Sequence, residues 1–163
     1  MIGAIIAQRK VREGIENINR RDIDAILAGW ADDGVYIYPG KVSGSGRFEG
    51  KEAIRKWYEN TFEQFPVIKM TVNHVMVENI FDFTGTNVIA VNVDILVQNL
   101  QGTESGTCSV NLFKIKKGKI VEGRVFHFGS REEIDEMASR GEADVSGQHA
   151  ECPWDKEKAS GAG

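Results

Sequence analysis

From residue 67 onward the apolar residues settle into a period of two and keep it to residue 128. Residues 67–81, 86–99, 105–117 and 119–128 read as four long strands. The separators are residues 82–85, Gln101-Gly102 and Lys117-Gly118-Lys119. Connections this short join antiparallel neighbours, so the second half of the chain is expected to be one meandering sheet. Side chains alternate along a strand, which assigns each residue a face. Ile68, Met70, Val72, His74 and Met76 form one row. Ile89, Val91, Val93, Ile95 and Val97 form an unbroken apolar row. Ser109, Asn111 and Phe113 follow, with Gly123, Val125 and His127 on the last strand. A one-residue slip would invert any of these rows.

The apolar face of that sheet needs a cover, and the first half of the chain supplies it. Val11, Ile15 and Ile18 recur at helical spacing within a helix over residues 4–19. Gly14 lies inside that helix, where it costs about 1 kcal/mol relative to alanine. Asp22 is placed to cap a second helix whose apolar face is Ile23, Ile26, Leu27 and Trp30. Asp32-Asp33-Gly34 should end it; adjacent carboxylates do not share a helix face, so they read as a terminus and not as a catalytic pair. Val35-Tyr36-Ile37-Tyr38 is a short strand closed by Pro39. Residues 40–46, rich in Gly and Ser, read as a loop over a cavity mouth; they lack the lysine and context of a phosphate loop. A third helix over residues 51–64 carries Ile54, Trp57, Tyr58 and Phe62, and Pro66 stops it. Ser130 is placed to cap a last short helix with Ile134 and Met137, and residues 139–163 form a polar tail. The expected architecture is α+β: three N-terminal helices on a strongly curved, mainly antiparallel sheet, a cone-shaped α+β barrel with a cavity between its layers. One domain covers residues 1–138.

Composition narrows the function classes. With 163 residues, one domain can bury a full core without staples. The net charge of −4, with no run of five like charges, gives no footprint for nucleic acid. Cys108 and Cys152 fit neither a disulfide framework nor a zinc spacing, so two free thiols and no metal are expected. Residues 1–7 are apolar but lack a basic flank and a cleavage site. No run approaches the roughly 20 apolar residues of a membrane span. Residue 2 is Ile, which excludes myristoylation there. These points lead to the expectation of a cytoplasmic protein with no membrane partner.

Several strings resemble the nuclear transport factor 2-like superfamily, most closely its SnoaL-like and ketosteroid-isomerase-like branch. They are Arg21-Asp22-Ile23-Asp24-Ala25-Ile26, Trp30-Ala31-Asp32-Asp33-Gly34-Val35, Phe48-Glu49-Gly50-Lys51-Glu52-Ala53-Ile54 with Trp57-Tyr58, and Lys117-Gly118-Lys119-Ile120-Val121-Glu122. The likeness spans about residues 4–138. It implies the same cone-shaped fold, cofactor-free chemistry, a strand register that points the rows of His74, Val91, Asn111 and His127 inward, and a homodimer through the outer sheet face, here bearing Leu96, Phe126 and Phe128. Ketosteroid isomerases use an aspartate base with a tyrosine and a protonated aspartic acid around the developing oxyanion. The resemblance puts Tyr38, Gly14 and Asn111 at those places, so the isomerase catalytic set is not retained. The acid of the aromatic-cyclase branch is also missing, where Gly123-Arg124-Val125 stands. Dehydratases of the superfamily use a strand histidine near the place of His74.

Two function classes remain. In one, an apolar pocket holds a small hydrophobic or cyclic molecule and performs isomerase, cyclase or dehydratase chemistry. His74 or His127 is then the acid/base, because imidazole exchanges protons near neutral pH, with Tyr38 and Asn111 orienting a substrate oxygen. Trp30, Trp57, Phe62, Met70, Ser109 and Val125 are the candidate ligand-binding residues. In the other, the domain binds a ligand without chemistry or serves as a dimeric assembly piece. An Asp94–His127 dyad is conceivable on residue type, but register places Asp94 outward.

Overall fold

The computed structural model describes residues 2–40 and 44–128. The expected helix after Ser130 and the tail lie outside the described residues. The elements are α1 (Ile2–Asn19), α2 (Ile23–Ala28), β1 (Trp30–Tyr38), β2 (Gly46–Glu49), α3 (Gly50–Gln64), β3 (Val67–Val77), β4 (Asn87–Gln98), β5 (Glu104–Lys116) and β6 (Lys119–Phe128). One six-stranded sheet runs in the order β2-β1-β6-β5-β4-β3. All pairings are antiparallel except β1 with β6. The sheet curls over the helices but does not close into a barrel, since β2 and β3 remain its edges.

The period-two region forms four antiparallel strands, the first ending at Val77 and not at residue 81, with the β5–β6 hairpin turning through Lys117 and Gly118. Both have positive φ, 51° and 76°, as a tight hairpin with the right twist needs. The inner face carries cross-strand rows: Ile89 with Phe113 and Gly123, Val91 with Asn111 and Val125, Val93 with Ser109 and His127. Ile89, Val91 and Val93 are fully buried and pack against Ile15, with Val11 and Ile18 of α1 beside them. A second cluster joins Ile26, Leu27, Trp30, Tyr36, Ile54, Tyr58, Phe62 and Val125, tying α2 and α3 to β1 and β6.

The second helix is shorter than its apolar spacing implied. Asp22 does cap it, accepting from the Ala25 N–H at 3.0 Å. Gly29 ends it, and Trp30 through Asp33 already belong to β1. Trp30 is therefore a strand residue, with Asp32 and Asp33 on an irregular stretch where the β1–β6 register shifts. Tertiary pairing with β6 outweighs helical spacing over so short a segment. Gly46–Glu49, between the glycine-rich loop and the third helix, pairs with β1 as a strand that the sequence reading did not include.

Two inter-element ties hold the layers. Asn19 of α1 pairs with Met70 like a strand, donating to its carbonyl at 3.0 Å and accepting from its N–H at 2.7 Å. This satisfies backbone groups on the otherwise open edge of β3. Arg21 donates to the carbonyls of Phe62, Phe65 and Pro66, capping the C-terminal end of α3, and its guanidinium lies over the Phe62 ring.

Candidate functional site

Between the inner sheet face and α3 lies a cavity of about 160 Å³. The walls are mostly apolar: Phe62 and Phe65 from α3 and its end, Ile68 and Met70 from β3, Ile95 from β4, Val125 from β6. Trp57 closes one side, its ring N–H donating to the Gly44 carbonyl at 2.8 Å. Alternation delivers the polar groups. Tyr38 ends β1 and His127 comes near the end of β6, and these strands run parallel, so both side chains arrive at the same end of the sheet. His127 Nε2 and Tyr38 Oη are 2.9 Å apart. The hydrogen bond runs from ring N–H to phenol oxygen or from phenol O–H to ring nitrogen according to tautomer.

Burial sets the electrostatics of this pair. It pushes the Tyr38 phenol up to about 12 and lowers His127 below the usual histidine value. Both groups are neutral near pH 7, because a low-dielectric site disfavours each charged form. Asn111 lines the same cavity and is buried. A side-chain amide carries two donors and one acceptor. Tyr36 and Tyr58 also line the cavity, both protonated because burial raises them well above the ordinary phenol value.

The expected site residues divide into two groups. Tyr38, His127, Asn111, Trp57, Phe62, Met70 and Val125 come together around the cavity. His74, Trp30 and Ser109 do not. His74 is exposed on the outer face, opposite Asn92. A bulge at Asn73 inserts one unpaired residue between Val72 and His74, so the inward row continues as Val75 and Val77 and leaves out His74 and Met76. Trp30 is almost fully buried and packs edge-on to Tyr36, as core. Ser109 faces inward but does not line the cavity; it is completely buried, and its Oγ has no partner among the described residues. Asp94 stands in the outward row with Thr71, Cys108 and Phe128, so no Asp94–His127 dyad forms. Gly14 lies on α1, where a Cβ would meet nothing within 4 Å. The contributions of Tyr36, Tyr58 and Thr107 were missed; for Tyr36 the shared face with Tyr38 was the available signal. Among the described residues no cluster of three or more His, Cys, Asp or Glu could hold a metal, and no helix is long and apolar enough to cross a membrane.

An open curled sheet over three helices, with a cavity between, defines a nuclear transport factor 2-like fold. Solved structures agree. Bal32a, from a soil-derived mobile gene cassette, superposes with a TM-score of 0.69 at 18% identity, covering 80% of this chain and 95% of its own. An NTF2-like protein of unknown function from Burkholderia pseudomallei gives 0.68 at 17%, covering 81% and 96%. RV0760c from Mycobacterium tuberculosis, solved in complex with estradiol-17β-hemisuccinate, gives 0.63 at 20%, covering 78% and 94%. The SnoaL-like domain model matches residues 11–123, and the chain belongs to that family. No curated protein sequence matches it.

Proposed function

We propose that the cavity binds a small, largely apolar cyclic molecule carrying a carbonyl or hydroxyl oxygen, and that the Tyr38–His127 pair moves a proton on it without a cofactor. The observation that carries this reading is the 2.9 Å contact between two neutral titratable groups in an apolar cavity, with the Asn111 amide in the same lining. In the tautomer with hydrogen on Nε2, the ring donates to the Tyr38 oxygen and leaves the phenol O–H for the ligand's oxygen. Asn111 supplies a second donor. Two donors on one oxygen stabilise the negative charge that develops when a neighbouring C–H ionises or a hydroxyl departs. A neutral imidazole is also the form able to accept a proton. The steroid ester bound by RV0760c supports a ring-shaped guest for this fold.

The test is solvent-deuterium exchange at the α-carbon of cyclic ketones, followed by proton NMR. Wild-type protein should accelerate exchange, and His127→Gln and Tyr38→Phe should each lower the rate by about 10²–10⁴, the usual contribution of a positioned acid/base. Binding without exchange, unaltered by either variant, sinks the catalytic part. One observation favours that second reading, a binding or assembly module: among the described residues the cavity lining contains no carboxylate. A homodimer through the outer sheet face fits either reading, since Phe126 is 49% exposed there.

A further inference from the structure

A second cavity backs the first. It occupies about 270 Å³ between α1, α2 and the β5–β6 hairpin. Val11, Ile26, Trp30, Ile115 and Ile120 give it apolar walls, with Lys10 and Glu13 exposed among its lining residues. Ile15, Ile18, Tyr58 and Phe113 line both cavities, so the partition is a single layer of side chains. Ile15 and Tyr58 are buried, while Ile18 and Phe113 are only half-buried.

Gly14 lines this second cavity. It sits within α1 and is not among the glycines of positive φ, so its backbone does not require glycine. Nor does packing, since a Cβ there would meet nothing within 4 Å beyond the local backbone of its own helix. Glycine is among the poorest helix formers, and here it gives no turn and no close approach in return. Open space lies where its Cβ would stand, and Gly14 is one of the residues lining the second cavity.

We propose that the two cavities are two compartments of one binding site, and that the ligand is elongated. The oxygen-bearing ring sits by Tyr38, His127 and Asn111; an aliphatic arm passes the partition, where Ile18 or Phe113 changes rotamer, and lodges beside Gly14. Gly14 then sets the length of arm the protein accepts. This inference rests on the reading of the main cavity given above.

The probes are phenol and its 4-alkyl homologues to 4-octylphenol, titrated by calorimetry against the full chain. For wild-type protein, affinity should rise by about fourfold per methylene as each leaves water, well beyond the first few carbons. Gly14→Leu should stop that rise at a shorter chain while leaving phenol and 4-methylphenol unchanged. Ile115→Phe, from the opposite wall, should do the same and serves if Gly14→Leu fails to fold. A wild-type rise that ends after methyl or ethyl, or variant profiles that coincide with wild type, would overturn the second compartment and leave the main-cavity reading intact. Failure of phenol itself to bind would overturn both.

Discussion

His127 is a group whose environment and protonation are coupled. Burial holds its pKa in the folded protein below the ordinary value of about 6.5, which the unfolded chain retains. Between the two values the unfolded state binds more protons, so stability rises with pH there. The sign is therefore fixed: the contribution is complete above about pH 6.5, shrinks as pH falls toward the folded value, and levels off below it. Thermal melts across pH 5–8 should show this slope, and His127→Gln should remove its share. Proton transfer that needs neutral imidazole should follow the same limb and then stay flat until Tyr38 ionises near 12. Gly123 shows packing at the same scale. A Cβ there would lie 2.9 Å from Trp30 Cη2 and 3.3 Å from two atoms of the Phe113 ring. Trp30 is almost fully buried and has little room to yield, so Gly123→Ala should cost about 1–3 kcal/mol by overpacking. At about 2–4 °C per kcal/mol for a chain of this size, calorimetry will read a Tm several degrees lower.

At the scale of elements, the bulge in β3 and the cap on α3 matter most. Asn73 is the extra residue opposite no partner, between Val72↔Val93 and His74↔Asn92. Deleting Asn73 should close the bulge and preserve every face, with Val72 and Val75 inward and His74 outward. Deleting Thr71 instead would invert the strand on one side. A cooperative melt for the first deletion and a collapsed one for the second would confirm the assignment. Arg21 adopts a left-handed backbone, φ 59°, and uses its side chain to gather carbonyls at the end of α3. Phe62 and Phe65, whose carbonyls it holds, line the cavity. Arg21→Ala leaves those acceptors without their charged donor, at about 1–3 kcal/mol. Weaker phenol binding should accompany the lower Tm, because the cavity wall is positioned by that cap.

At the scale of the whole molecule, an open sheet has a second face. Leu96, Phe126 and Phe128 share the outer side with His74 and Asn92, on alternate positions to the cavity row. If that face joins two copies, light scattering should give twice the chain mass, and Phe126→Asp should return a monomer with the cavity unaltered.

The strand periods, the hairpin turn at Lys117-Gly118 and the faces of β4, β5 and β6 were legible in the sequence, because alternation and turn chemistry are local properties. The membership of Tyr38, Asn111 and His127 in one inner surface was legible only through the register that the family resemblance implied. The sequence alone left open which histidine served the cavity. That was decided by one unpaired residue at Asn73, and a bulge forms only when a partner strand is present to be mismatched. The end of the second helix at Gly29, the pairing of Tyr38 with His127 across parallel strands, and the space behind Gly14 were likewise decided by tertiary structure. Each depends on contacts between segments far apart in the chain, and no local period encodes those.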